Sequence, residues 1–293
     1  MEFAVLRFDL VVAADDFSVF IRLQAVYRRH DVRSDQIMKK WITFDLDGTL
    51  MQNPFGKWVF PEVEELISQQ LKQPYKSTEA LVREHERRMK ENRTVEAYDW
   101  DEMVRELIGE LKLELAIDVE QLVLKHSAAP KIYLLEEAVI PVLKQLKVQG
   151  YSLATVTNGF YKYQYPVMKE LGISEWFEEI VTPELAGCGK PNEQIFDGLR
   201  KSGEIVAHVG DRLDHDVYMA NKTNVPSIFI YRQLPEALRA LTPRERSTHA
   251  DFAPLLRKKL VSEDPAANID PLSESYIPTH VICTLDELAG CLE

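Results

Sequence analysis

The chain has 293 residues, 45% hydrophobic and 28% charged, with 35 Lys and Arg against 47 Asp and Glu for a net charge of −12. That length allows one large or two modest domains with a real core. The acidic balance disfavours a nucleic-acid binder, which needs a basic face, and anionic membranes, and no run reaches the 18 apolar residues of a helical span.

Cys188, Cys283 and Cys291 are odd in number and lack metal-like spacing, so a reducing, cytoplasmic setting is expected. The seven histidines show no ligand spacing. Residues 1–37 read as an N-terminal extension. Its segment 5–14 is apolar enough for a strand, and an Arg-rich stretch follows. It lacks the pattern of a signal peptide. Met38 is read as the functional start, with an added strand or helix packed on the domain as the alternative.

From Trp41 the pattern is strand and helix. The apolar run 41–44 predicts a short buried strand that opens into Asp45-Leu46-Asp47-Gly48-Thr49. Two carboxylates this close repel each other unless a cation or proton relieves them. A turn-rich loop, 52–57, comes next. Phe60, Val63, Leu66, Ile67 and Leu71 recur at helical spacing, with Pro61 suited to a first turn. A charged helix is expected over 77–92. A third, capped by Asp99, carries Trp100, Met103, Val104, Leu107, Ile108 and Leu111 on one face. A fourth covers 118–127.

Beyond residue 136 the period changes. Helices are expected over 137–149, 161–171, 192–202 and 216–222. Strands are expected over 151–156, 179–181, 205–209 and 227–231. Residues 233–276 read as a peripheral, proline-rich excursion with two short helices, before a last strand at 281–284 and a helix at 285–292. Such alternation predicts an α/β fold with a Rossmann-like, mostly parallel sheet core.

In open α/β sheets, ligands bind beyond the carboxyl ends of the strands. The expected strand ends present Asp45 and Asp47, then Thr157-Asn158-Gly159, then Gly189-Lys190-Pro191, then Asp211 within Gly210–Asp216. Asp45, Asp47 and Asp211 make a hard oxygen set that suits Mg²⁺ rather than zinc. Thr157, backbone amides and Lys190 make an anion pocket beside it. A metal next to an anion pocket and a free carboxylate is equipment for phosphoryl transfer.

These segments carry a resemblance. FDLDGTL (44–50), LATVTNG (153–159), GCGKPN (187–192) and VGDRLDHD (209–216) occur in the order found in the haloacid dehalogenase-like (HAD) hydrolase superfamily. The chain resembles a phosphatase-type member of it over about 41–232 and again at 280–292. The resemblance implies Asp45 as nucleophile, forming an aspartyl-phosphate. It implies Asp47 as general acid–base, its backbone carbonyl serving Mg²⁺. Thr157 and the Asn158 backbone would hold phosphoryl oxygens, and Lys190 would neutralise charge. Asp211 would bind Mg²⁺, with Asp216 behind it. An aspartate at the place of Asp47 is the pattern of the family's phosphatases and phosphomutases, not of its dehalogenases.

Spacing locates an insertion. Thr157 lies 33 residues before Lys190 but 110 after Asp47, so the surplus falls between the first two strands. The expected domains are thus a core over 38–56 and 131–293 and an inserted α-helical cap over 57–130, resembling a type 1 cap. Candidate substrate contacts are Asn53, Phe55, Lys57 and Trp58, with Phe55 and Trp58 alternatively packing between cap and core. The cap arginines Arg83, Arg87, Arg88 and Arg93 are weaker candidates and read as a solvated face. His215 reads as structural and Cys188 as an ordinary loop residue.

The expected activity is Mg²⁺-dependent hydrolysis of a small phosphorylated metabolite: a nucleotide, sugar phosphate or glycolate-type phosphate. A phosphomutase or a catalytically silent interaction protein are the rivals. No nucleic acid or membrane partner is expected, and the assembly is expected to be a monomer or homodimer.

Overall fold

The computed structural model describes residues 38–267 and 270–292. The extension, with its expected strand over 5–14, lies outside the described residues. Among the described residues no helix is long and apolar enough to cross a membrane.

Strand β1 (Lys39–Phe44) leads into a turn and then a two-stranded antiparallel ribbon, β2 (Met51–Gln52) with β3 (Tyr133–Leu134). Between the ribbon strands come α1 (Phe60–Leu71), α2 (Ser77–Lys90), α3 (Trp100–Glu110) and α4 (Val119–His126). The chain continues through α5 (Val139–Val148), β4 (Ser152–Val156), α6 (Tyr161–Glu170), β5 (Glu179–Val181), α7 (Pro183–Ala186), α8 (Asp197–Arg200), β6 (Gly203–Gly210), α9 (Tyr218–Lys222) and β7 (Ser227–Ile230). It then forms α10 (Glu236–Arg239), α11 (Pro243–Thr248), α12 (Ala253–Glu263), β8 (His280–Ile282) and a closing 3₁₀ turn, Leu285–Cys291.

The main sheet has six strands in the order β5-β4-β1-β6-β7-β8, all paired parallel. It is the expected Rossmann-like α/β core. β1 is central and covered on both faces, which is why Trp41, Ile42 and Phe44 form a near-continuous apolar run. Its register, Ile42 opposite Leu153 and Ala207, brings the ends of β1, β4 and β6 to one level.

The inserted helices bury Val63, Ile67, Leu81, Met103, Val104, Leu107, Ile108, Val119 and Val123 along their shared faces. The Asp99 carboxylate caps α3 by accepting the Glu102 N–H, and Asp118 caps α4 by accepting that of Gln121. Arg88 departs from the expected solvated face. Its guanidinium is 1% exposed and donates to Glu84, Glu102, Glu106 and the Glu96 carbonyl, tying α2 to α3. Its neighbours Arg83 and Arg87 remain at the surface, paired with Glu79, Glu84 and Glu91.

Two further expectations differ from the structure. The helix expected over 192–202 is a 3₁₀ turn (Glu193–Phe196) followed by the short α8, and Gly203 opens β6 instead of ending a helix. The physical reason is a close approach: a Cβ on Gly203 would lie 2.2 Å from the Lys39 carbonyl oxygen of β1. The segment 233–276 holds three helices, α10 to α12, and packs Leu238, Phe252, Leu256 and Leu260 against Phe229 and Val281. It is not peripheral, because α12 also carries Lys259 and Glu263 to the edge of the site described next.

Candidate active site

The strand order reverses direction at β1: the chain runs outward to β4 and β5 on one side and to β6, β7 and β8 on the other. A crevice opens at such a reversal, at the carboxyl ends of the strands. Asp45 follows β1, Thr157 follows β4, the Lys190 loop follows β5 and Asp211 follows β6. The expected site residues therefore meet at one end of the sheet.

At the centre is Lys190, 2% exposed. Its Nζ donates to Asp45 Oδ1 at 2.5 Å and to Asp216 Oδ1 at 2.6 Å. Asp216 also faces His208 Nε2 at 3.1 Å and accepts the Arg212 N–H through Oδ2 at 3.1 Å. The other ring nitrogen of His208 meets the Thr43 hydroxyl at 2.8 Å. Asp216 is thus enclosed by donors, and its carboxyl lies well below the usual range because Lys190 and His208 outweigh its burial. Lys190 is held above the usual lysine range by the two carboxylates, against its burial.

Asp45 and Asp211 have no such surplus of positive charge. Burial, opposed by Lys190 and reinforced by Asp216 and Asp211, raises Asp45 to about 8. Burial and then the charge of Asp216 raise Asp211 to about 6. The Thr49 hydroxyl lies 3.3 Å from Asp45 Oδ2 and 3.4 Å from Asp211 Oδ1, a single proton between two acceptors. Asp45, Asp211 and Asp216 each offer an oxygen within 4.8 Å of the other two. The carboxylates of Asp45 and Asp211, short of positive charge, fit a hard divalent cation such as Mg²⁺, with Asp216 beside them. Gly48, at φ +86°, keeps the turn clear, since a Cβ there would lie 2.7 Å from Asp211 Oδ2.

The carboxylate of Asp47 stands outside that cluster. Its Oδ2 accepts from Gln164 Nε2 at 2.6 Å, and its Oδ1 is buried with no hydrogen-bond partner among the described residues. Burial raises this carboxyl above the usual range, against the Gln164 hydrogen bond and the nearby Asn53 side chain.

Thr157 is buried beside the cluster, its hydroxyl oxygen accepting the Gly159 N–H at 3.3 Å. Asn158 grips the Lys190 backbone: Oδ1 accepts its N–H at 2.7 Å and Nδ2 donates to its carbonyl at 3.0 Å. From the inserted segment, Thr94 Oγ1 accepts the Gly189 N–H at 2.9 Å. Tyr98 stands half-buried close by, its phenol raised by desolvation against the neighbouring Asn158 side chain.

Of the loop candidates, Phe55 packs against Phe60, Trp100 and Tyr163, between the inserted helices and α6. Asn53 turns Oδ1 onto the Phe55 N–H, while Lys57 and Trp58 are exposed. His215 is buried and pushed down to about 4 by that burial, so it is neutral at pH 7. Cys188 is buried in its loop.

Gln164 and Arg232 escaped sequence reasoning. Arg232 donates to the carbonyls of Gly48 and Thr49, both at 2.7 Å, and pairs with Glu136. It pins the turn that carries Asp47. For Gln164 one signal existed: an amide at helical spacing with Val167 and Met168 on a buried face.

A model described as haloacid dehalogenase-like hydrolase matches residues 39–223, well over half of the chain. The chain belongs to this family. The glyceraldehyde 3-phosphate phosphatase of Methanopyrus kandleri is 40% identical over 98 residues, 32% of this chain and 42% of the relative. That of Methanocaldococcus jannaschii is 28% identical over 137 residues, 45% of this chain and 59% of the relative. This HAD-family chain spans about half the length of these curated relatives. A crystal structure of a HAD phosphatase from Thermococcus onnurineus matches with TM-score 0.54 at 26% identity, covering 67% of this chain and 88% of that one.

Proposed function

We propose that this HAD-family chain is a Mg²⁺-dependent phosphatase that hydrolyses a small phosphate monoester through an aspartyl-phosphate. The observation that carries the reading is the separation of two neighbouring carboxylates. Asp45 points at Lys190 and the acid cluster, while Asp47 is turned away from it onto Gln164. Two such groups can take different tasks on one substrate.

In the proposed reaction an Asp45 carboxylate oxygen attacks phosphorus and the P–O bond to the alcohol breaks. Asp47 gives its proton to the leaving oxygen. Asp47 then takes a proton from water as the water oxygen attacks phosphorus, and the bond between phosphorus and Asp45 breaks. Thr157 and the Asn158 N–H hold the phosphoryl oxygens, and Lys190 balances their charge. Asp45, Asp211 and the Asp47 carbonyl would hold Mg²⁺, with Asp216 supporting them. When bound, the ion supplies positive charge to the phosphoryl oxygens and relieves the carboxylate repulsion.

Residues 57–130 serve in this reading as a cap that excludes water and selects the alcohol. The hydrogen bond of the Gly189 N–H to Thr94 supports that role. The relatives named glyceraldehyde 3-phosphate phosphatase favour a small sugar phosphate as substrate over a nucleotide or a glycolate-type phosphate.

Phosphate release from a panel of sugar phosphates, nucleotides, phosphoglycolate and p-nitrophenyl phosphate tests the proposal. Release with Mg²⁺, none with EDTA and none from Asp45→Asn is the expected result. Full activity of Asp45→Asn would sink the mechanism.

A further inference from the structure

We propose that Gln164 positions Asp47, leaving Oδ1 as the oxygen that gives and takes the proton, so that cleavage of esters with poor leaving groups depends on this amide. The inference rests on the phosphatase reading above and deepens it.

The geometry supplies four observations. Gln164 is 2% exposed, and its Nε2 reaches Asp47 Oδ2 at 2.6 Å. Asp47 Oδ1 is buried with no partner among the described residues. The space for the amide exists because residue 159 is glycine: a Cβ there would lie 2.1 Å from Gln164 Nε2. Finally, α6 is fastened next to this residue. The Tyr163 hydroxyl donates to Asp101 Oδ2 at 2.9 Å and accepts the Asp101 N–H at 3.0 Å, and Lys162 donates to the same carboxylate at 2.6 Å. The amide is therefore held from both the sheet side and the α3 side.

The chemistry follows from the inventory of donors. The amide must turn its NH₂ toward the carboxylate, because the reverse orientation would set two acceptors together. Oδ2 is then occupied by a hydrogen bond that becomes charge-assisted once the carboxyl has lost its proton. Oδ1, with no partner among the described residues, is the oxygen left to carry the proton. As the ester P–O bond breaks and its electron pair leaves with the alcohol oxygen, the proton moves from Oδ1 to that oxygen. An alkoxide cannot leave without this proton, whereas p-nitrophenolate can. Gln164 is a positioning residue in this scheme, acting through Asp47.

The test uses Gln164→Met, which keeps the volume and loses the donor, and Gly159→Ala, which displaces the same amide from the other side. kcat/KM is measured for p-nitrophenyl phosphate and for the alkyl phosphate that the wild type hydrolyses fastest in the panel. Both variants should lose about a hundredfold on the alkyl ester. That loss should exceed the loss on the aryl ester by at least about tenfold. Equal losses on both esters, or none, would overturn the proposal, since a merely structural role does not sort substrates by leaving group. Should Gln164→Met fail to fold, Gly159→Ala and the shorter Gln164→Asn decide by the same ratio. If the wild type hydrolyses no phosphate ester, the phosphatase reading itself has failed, a result distinct from equal losses in the variants.

Discussion

The side chain of Asn158 holds the main chain of Lys190 at two points, taking its N–H at 2.7 Å and giving a hydrogen bond to its carbonyl at 3.0 Å. Both residues are buried. The ammonium of Lys190 reaches Asp45 and Asp216 from an origin that this grip sets.

Asn158→Ala should therefore do two things. It strands a buried N–H and a buried carbonyl, a loss of about 2–4 kcal/mol. It also frees the Lys190 loop, so kcat for phosphate release should fall by about tenfold or more. Thermal unfolding and steady-state kinetics check the two effects, and a wild-type kcat in a folded variant would count against the grip as the source of Lys190's placement.

Arg88 makes a prediction about the inserted helices alone. Its planar fork serves three carboxylates from two helices. Lysine cannot reproduce that fork, so Arg88→Lys and Arg88→Met should both destabilise by about 1–3 kcal/mol. The carboxylates are more exposed than the guanidinium and can rehydrate, which limits the loss. Unfolding in urea measures it. An Arg88→Lys protein as stable as wild type would show that charge, not geometry, is what matters there.

Addition of Mg²⁺ should raise the unfolding temperature, because an ion bound to the folded state alone stabilises it. Chelation with EDTA should reverse the rise. Asp211→Asn removes one of the oxygens that face the cluster, so the Mg²⁺-induced shift should shrink. A shift of wild-type size in Asp211→Asn would place the ion elsewhere.

Glu263 gives a pH dependence. Its Oε2 accepts the N–H of Leu213, and burial, opposed by Lys259, pushes its carboxyl from 4.5 up to about 7. The folded chain thus keeps this proton to higher pH than the unfolded chain. Between those two values the folded state binds more protons, so stability falls as pH rises through the window. Glu263→Gln removes the dependence. Relative to wild type, the variant should gain about 1–3 kcal/mol at pH 8 and little at pH 5. Melting curves at both pH values decide it. An equal difference at the two would mean that Glu263 ionises with the same ease folded and unfolded.

The proposed catalytic residues were legible because most of them sit in local patterns. A short apolar strand running out into a Gly-Thr turn marks Asp45 and Asp47 within ten residues of chain. Thr157 and Asp211 each follow a short apolar run in the same way, and Lys190 stands out in a Gly-Cys-Gly-Lys-Pro loop. The inserted helices were legible for a similar reason: a 3.6-residue period needs no knowledge of what the face packs against. The short helices of 233–276 were harder to read, since α10 and α11 have only four and six residues and show little periodicity.

By itself the sequence determined the α/β alternation, the place of the insertion and the polar residues at the strand ends. Only the tertiary structure decided what holds those residues in place. Gln164 lies 117 positions from Asp47, and Arg232 lies 184 from Gly48. The strand order β5-β4-β1-β6-β7-β8 brings each of these pairs together. Hydrogen bonds act over about 3 Å of space whatever the separation along the chain, so no local pattern of residues announces which distant donor will arrive.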